Sequence, residues 1–243
     1  MSAEYDRIGV TYSNTRTADP RIAELIAAAL GDAKSVVNVG AGTGSYEPTD
    51  RHVEAVEPSR KMISQRPVSS APAVCAPAEN LPFDNDSFDA AMAVLTIHHW
   101  NDQQKGLKEL KRVARKRIVI LTFDPQARPW PTQYFPELAE LDAETMPTIE
   151  SLTRLLGPSK VQAVPIPHDC QDGFLYSYWR RPQAYLDEKL RSGSSSFWKI
   201  ADVAAGLGNL KRDLETGDWH RRYSDMLDQD AYDAGYRLVV TKL

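Results

Sequence analysis

Three stretches of the chain gather residue types that can hold or transform a small molecule. The first is Val36-Val37-Asn38-Val39-Gly40-Ala41-Gly42-Thr43-Gly44, a β-branched run that breaks into glycines at alternate positions. Glycines so spaced let a chain turn sharply and bring its backbone against a ligand that a Cβ would hold off. The spacing is G-x-G-x-G. The dinucleotide fingerprint G-x-G-x-x-G needs a glycine at position 45, where this chain has Ser45. The second is Val56-Glu57-Pro58-Ser59, which puts a carboxylate at the end of the next predicted strand, able to accept two hydrogen bonds from ribose hydroxyls. The third is His98-His99-Trp100, at the end of a fourth apolar run. Histidine titrates near neutrality, so either ring can accept a proton from a hydroxyl or ammonium nucleophile. His99 is the preferred base or substrate-orienting residue, and His98 the second candidate.

A further polar cluster, His168-Asp169-Cys170, follows a sixth strand-like run. Adjacent side chains point apart and no oxyanion motif accompanies them, so a Cys–His nucleophile is disfavoured, and His168 is kept as a substrate contact. His168, Asp169 and Asp172 repeat no metal-ligand spacing, and no metal is expected. Trp130, Tyr134 and Phe135 lie in a proline- and aromatic-rich stretch, 125–147. They offer aromatic walls for a small apolar or aromatic substrate, or else a core for their own segment. Cys75 and Cys170 make neither a disulfide framework nor a zinc site by themselves, which suits a reducing, cytoplasmic setting.

Around these residues the chain alternates helical and strand signals. Asp19-Pro20 opens a helix whose apolar positions Ile22, Leu25, Ile26, Ala29 and Leu30 are helically spaced, and Gly31 closes it. Strands are predicted at 35–39, 52–56, 73–76, 88–97, 117–123, 161–166 and 236–241. Helices are predicted at 59–65, 101–115, 182–190, 196–205 and 207–214. Such alternation implies right-handed crossovers and an open parallel sheet. The 243 residues, 42% hydrophobic and 26% charged, have the make-up of a folded chain and not of a disordered one. A net charge of −4 argues against a nucleic-acid partner. The longest apolar runs, 22–30 and 90–97, are too short to span a membrane, and residues 1–10 show no secretory signal.

In their order, these segments resemble the class I S-adenosylmethionine-dependent methyltransferases that act on small molecules. The resemblance rests on the Gly40–Gly44 loop, Val56-Glu57-Pro58-Ser59, Ala78 to Phe83 with Phe88-Asp89, and Val94-Leu95-Thr96-Ile97-His98-His99-Trp100. It implies an α/β fold: a doubly wound, mostly parallel, seven-stranded Rossmann-like sheet whose last strand is antiparallel. The whole chain, 1–243, then forms one domain. Its cofactor-binding core is 17–124 with the strands near 160–167 and 235–242, and insertions at 125–150 and 168–232 form a helical substrate cap. Gly40, Ala41, Gly42 and Gly44 would line the methionine part of S-adenosylmethionine, Glu57 and Pro58 its ribose, and Ala78 and Glu79 its adenine, with Leu95 beside them. The segment carrying Tyr12 and Arg16 would close over the cofactor, the arginine on its carboxylate and the tyrosine facing its sulfonium. Two positions depart from the family pattern: Asn38 stands where an acidic residue is usual, and Pro77 where an aspartate is usual. The implied reaction is in-line methyl transfer to O or N of a small molecule, yielding S-adenosylhomocysteine. The alternative is a non-catalytic binding module for the same cofactor. Nucleic-acid methyltransferases carry Asn-Pro-Pro-Tyr-like or Pro-Cys elements that are missing here, and a nicotinamide dehydrogenase is disfavoured by the loop spacing.

Overall fold

The computed structural model describes residues 16–243. Helix α1 (Pro20–Leu30) starts where Asp19 accepts the Arg21 N–H and Pro20 occupies the first turn, and it ends at Gly31. Its Ile22, Ile26 and Leu30 repeat every fourth residue and face the core. The seven-stranded sheet comprises β1 (Ser35–Val39), β2 (His52–Val56), β3 (Ala73–Val74), β4 (Phe88–Val94), β5 (Ala114–Phe123), β6 (Ser159–Ala163) and β9 (Tyr236–Lys242), in the order β3-β2-β1-β4-β5-β9-β6. β1, β2, β3, β4 and β5 pair in parallel, whereas β9 runs antiparallel to both its neighbours. A separate two-stranded ladder joins β7 (Ile166–Pro167) to β8 (Ala231–Tyr232).

The central strands are buried on both faces, as crossover helices require. Val37, Val39, Ala91, Ala93, Ile118 and Ile120 pack beneath α3 (Gln103–Val113) and α6 (Ile149–Leu156). Val36, Ala90, Met92, Val119 and Leu121 point the other way, toward α1 and the helical cap. Between β2 and β3 lies the short α2 (Arg60–Ser64), capped by the Ser59 hydroxyl. The cap comprises α4 (Pro131–Tyr134), α5 (Pro136–Thr145), α7 (Glu188–Arg191), α8 (Ser196–Lys199), α9 (Ala204–Glu215), α10 (Asp218–Arg222) and α11 (Ser224–Leu227).

Several boundaries differ from the sequence reading, each for a local reason. The strand expected over 88–97 stops at Val94, because Leu95 adopts φ 52° and a 3-10 turn, Ile97–His99, follows. The helix expected over 101–115 is shorter at both ends. Asp102 caps it through the Lys105 N–H, and from Ala114 the chain is already in β5, where Arg115 and Lys116 pair with Asp89. The strand expected over 161–166 divides around Pro165, which has no N–H to donate to a ladder. The helix expected over 182–190 divides at Asp187, whose side chain caps a new start at Lys189 N. The sequence reading does not anticipate helices α4, α5, α6, α10 and α11.

Candidate functional site

The strand order reverses between β1 and β4, and in open α/β sheets ligands bind beyond the strand ends at such a point. The loop after β1 turns there through Gly40 (φ 73°) and Gly42 (φ 53°). A Cβ on Gly40 would collide with Thr96 Oγ1, so glycine is demanded by contact as well as by conformation. The N–H groups of Gly40 and Ala41 both donate to the Val56 carbonyl, at 2.8 and 3.0 Å. Glu57, buried at the end of β2, accepts Gly42 N–H on Oε2 at 2.8 Å and Ser59 N–H on Oε1 at 2.9 Å. Its carboxylate therefore fixes the glycine loop to the start of α2.

These groups enclose a cavity of about 290 Å³, near the lower end of small-molecule sites. Arg16, Gly40, Ala41, Gly42, Glu57, Pro58, Ala78, Glu79, Leu95 and His99 all border it, as do Asn38 and Pro77. Gly44 is close by but not on its wall. The Asn38 amide donates to Glu47 Oε1 at 3.1 Å, and Glu47 is itself paired with Arg66 at 2.7 Å. The acidic charge absent from position 38 is thus not supplied by its neighbour, which is already compensated.

A second, smaller cavity of about 50 Å³ adjoins the first, and Arg16, Leu95 and His99 border both. Its remaining wall includes His98, Phe123, Asp142, Phe174, Tyr176, Tyr236 and residues 193–196. Arg16 is held at the junction by Asp172, with Nε 2.6 Å from Oδ1, and Tyr46 donates its hydroxyl to the same carboxylate at 2.9 Å. The His98 and His99 rings lie 3.8 Å apart. Burial, reinforced by the positive Lys199 and Arg16, pushes His98 down to about 3. Burial and the adjoining His98 likewise hold His99 well below the usual histidine range. Both shifts favour the neutral ring. Asp142 goes the opposite way: burial pushes its carboxyl up to about 6, against the opposing hydrogen bond from Tyr176 and the charge of Arg128. The Tyr176 hydroxyl donates to Asp142 Oδ2 at 2.6 Å.

Four expected substrate contacts fall elsewhere. Trp130, Tyr134 and Phe135 border neither cavity. Trp130 is 2% exposed, packs edge-on to Tyr185 and Trp219, and donates its indole N–H to the Trp179 carbonyl. Tyr134 gives its hydroxyl to Asp213, and Phe135 packs on Phe197. Together they are the cap's own core. His168 also lies away from both cavities, its backbone joined to Asp230 beside the small ladder. Tyr12 is outside the described residues. The sequence reading missed Asp142, Tyr176, Phe123 and Tyr236. Only Asp142 left a signal: it stands four residues after the buried Leu138, a charge on the inward stripe of α5.

Residues 37–121 match the family model of a methyltransferase domain. A protein of Anabaena variabilis, assigned as a methyltransferase of an antibiotic biosynthesis pathway, shares 34% identity over 94% of this chain and 99% of its own, with a TM-score of 0.86. The chain belongs to the class I S-adenosylmethionine-dependent methyltransferases. Its cofactor is S-adenosylmethionine, and the larger cavity fits that group in the chemistry of its wall: exposed glycine backbone on one side and a buried carboxylate on the other. More distant structures share the methyltransferase fold. One is a Thermotoga maritima S-adenosylmethionine-dependent methyltransferase with histamine N-methylation as its suggested reaction (16% identity, 99% of this chain, 95% of that one, TM-score 0.57). Another is the Streptomyces coelicolor geranyl diphosphate C-methyltransferase, solved with Mg²⁺, geranyl diphosphate and S-adenosylhomocysteine (15% identity, 92% and 78%, TM-score 0.54). No curated protein sequence matches the chain. Among the described residues of this methyltransferase, no helix is long and apolar enough to cross a membrane, and no cluster of three metal-ligating side chains occurs.

Proposed function

We propose that this methyltransferase moves a methyl group to an oxygen or nitrogen of a small acceptor by in-line displacement. In this reading the cofactor lies in the larger cavity and the reacting end of the acceptor in the smaller one. The observation that carries it is the shared wall: two cavities of unequal size meet at Arg16, Leu95 and His99. The cofactor supplies a methyl group already activated by its sulfonium, so the chain's task is chiefly alignment, which contributes roughly 7–11 kcal/mol in favourable cases.

Each group has a task suited to its surroundings. Glu57 binds two backbone N–H groups and borders the cavity, where it would accept the ribose hydroxyls. The backbone of Gly40 to Gly42 would lie along the methionine part, and Ala78 and Glu79 beside the adenine edge. Arg16, compensated by Asp172, would offer N–H direction at the junction without adding net charge. His99, neutral, would orient the acceptor by a hydrogen bond and keep water out; its depressed basicity speaks against a full proton-accepting role. The free thiols of Cys75 and Cys170 agree with a cytoplasmic site of action.

The test is calorimetric titration with S-adenosylhomocysteine, with NADH as the control ligand. Wild type should bind the former at micromolar concentration and ignore the latter. Glu57→Ala should lose at least about tenfold in affinity, since a hydrogen bond to a charged group contributes about 1.5–3 kcal/mol. Equal affinity in the two proteins would remove Glu57 from the site, and absence of binding to wild type would end the reading.

A further inference from the structure

The smaller cavity has one acidic group on its wall, and the roles above leave that group unused. Asp142 is 2% exposed, on α5, with one carboxylate oxygen taken by the Tyr176 hydroxyl. Its other oxygen accepts no hydrogen bond from the described residues, although the side chain borders the cavity. The rest of that wall is chiefly aromatic: Phe123, Phe174 and Tyr236 form a contiguous set, with Phe123–Tyr236 and Phe174–Tyr236 centroids 5.4 and 4.7 Å apart. A buried carboxylate with an acceptor oxygen left over, in an apolar surround, is costly unless a ligand completes it. Water needs about 10–15 Å³ of such space per molecule, so a volume of about 50 Å³ takes a group of a few heavy atoms.

Resting on the methyl-transfer reading above, we infer that Asp142 is the proton acceptor for a hydroxyl, and that the substrate is a neutral hydroxyl compound that presents its hydroxyl end among these apolar walls. The acceptor oxygen forms the new C–O bond as the methyl–sulfur bond breaks. The bonding pair stays on sulfur, and the hydroxyl proton passes to Asp142. Sulfur loses its positive charge and Asp142 its negative one, so a separated pair of buried charges disappears in the step. An ammonium acceptor lacks this advantage, because it would bring a second cation beside the sulfonium and carries no lone pair until deprotonated. The two histidines do not compete for the proton, since burial disfavours an imidazolium there and the positive charges of Lys199 and Arg16 add to the penalty. Burial, which raises the carboxyl, makes Asp142 the better base of the three.

The probe is 4-nitrophenol, whose phenolate absorbs in the visible, added to protein saturated with S-adenosylhomocysteine. Beside an ionised Asp142 the neutral phenol is favoured, so bound probe should show less phenolate than free probe at the same pH. Asp142→Asn should abolish that suppression while leaving S-adenosylhomocysteine affinity within twofold. With an accepted hydroxyl substrate, turnover should fall by about 100-fold or more, the usual scale of general-base help. Tyr176→Phe keeps the carboxylate and removes its clamp, so the suppression should persist but require a higher pH, which serves if Asp142→Asn does not fold. Equal phenolate signals in wild type and Asp142→Asn would overturn the role of Asp142. Absence of probe binding to the cofactor-product complex would overturn the hydroxyl class while leaving the cofactor site intact. Absence of S-adenosylhomocysteine binding would instead bring down the reading on which the inference rests.

Discussion

The two cavities adjoin yet are built from different materials. The larger is made of backbone and of residues at strand ends: glycines after β1, Glu57 after β2, Ala78 and Glu79 after β3, Leu95 after β4. The smaller is made of side chains sent in by α5, the 174–176 segment, the 193–196 turn and the ends of β5 and β9. The first therefore comes with the fold and changes little when surface residues do. The second depends on how the cap packs, and a few substitutions there would alter its shape without touching the sheet. On the proposed reading, cofactor identity lives in the first kind of construction and acceptor identity in the second.

The contrast is broken most forcefully through the cap's own core. Trp130→Ala should cost about 3–5 kcal/mol of stability, because the indole is fully packed among Tyr185, Trp219 and Tyr223 and bonded to Trp179. Thermal unfolding reads this, and a shift in acceptor preference without loss of stability would mean that Trp130 lines the site after all. Next is Gly40→Ala, which sets a methyl group against Thr96 in a left-handed conformation. S-adenosylhomocysteine affinity should drop by more than about 100-fold, some 2.7 kcal/mol, with partial recovery in the Gly40→Ala/Thr96→Ala double variant. Full affinity in the single variant would show that the loop is softer than its contacts imply.

The smallest effect sharpens the comparison from the acceptor side. Asp142 must be ionised to take a proton, so turnover should decline below about pH 6, by roughly tenfold for each unit further down. The groups facing that carboxylate are the Tyr176 hydroxyl and Arg128, with His98, His99 and Arg16 on the same cavity wall. The histidines stay neutral over this range and should add no limb of their own. A pH–rate profile flat from 5 to 7 would separate Asp142 from the chemistry.

How legible each region was follows from its construction. The glycine loop and Glu57, which border one cavity, are legible because a strand, a turn and a strand-end carboxylate are local signals within a few residues of one another. Leu95 was placed in the right neighbourhood, but its positive φ was hidden, since nothing in an apolar run announces where the chain leaves the sheet. Trp130, Tyr134 and Phe135 stay undecided between wall and core in the sequence, because an aromatic segment reads the same whether it walls a cavity or fills one. The decision lies with α9 and α10, about 70–90 residues away in sequence, and local patterns carry no such information. Asp142 was visible as a charge on an apolar stripe, yet the partner that gives it meaning, Tyr176, comes from another insertion.

The contact between Gly40 and Thr96 has a consequence for transplantation. The two residues belong to different crossover units, but the space one occupies is the space the other must leave. A glycine loop grafted from a relative will seat only if the segment following β4 is brought with it. Drift at either position is likewise constrained to paths on which the partner has already made room. The cofactor loop is thus heritable as a pair of distant segments, and a recombination boundary placed between β1 and β4 would separate halves that were fitted to each other.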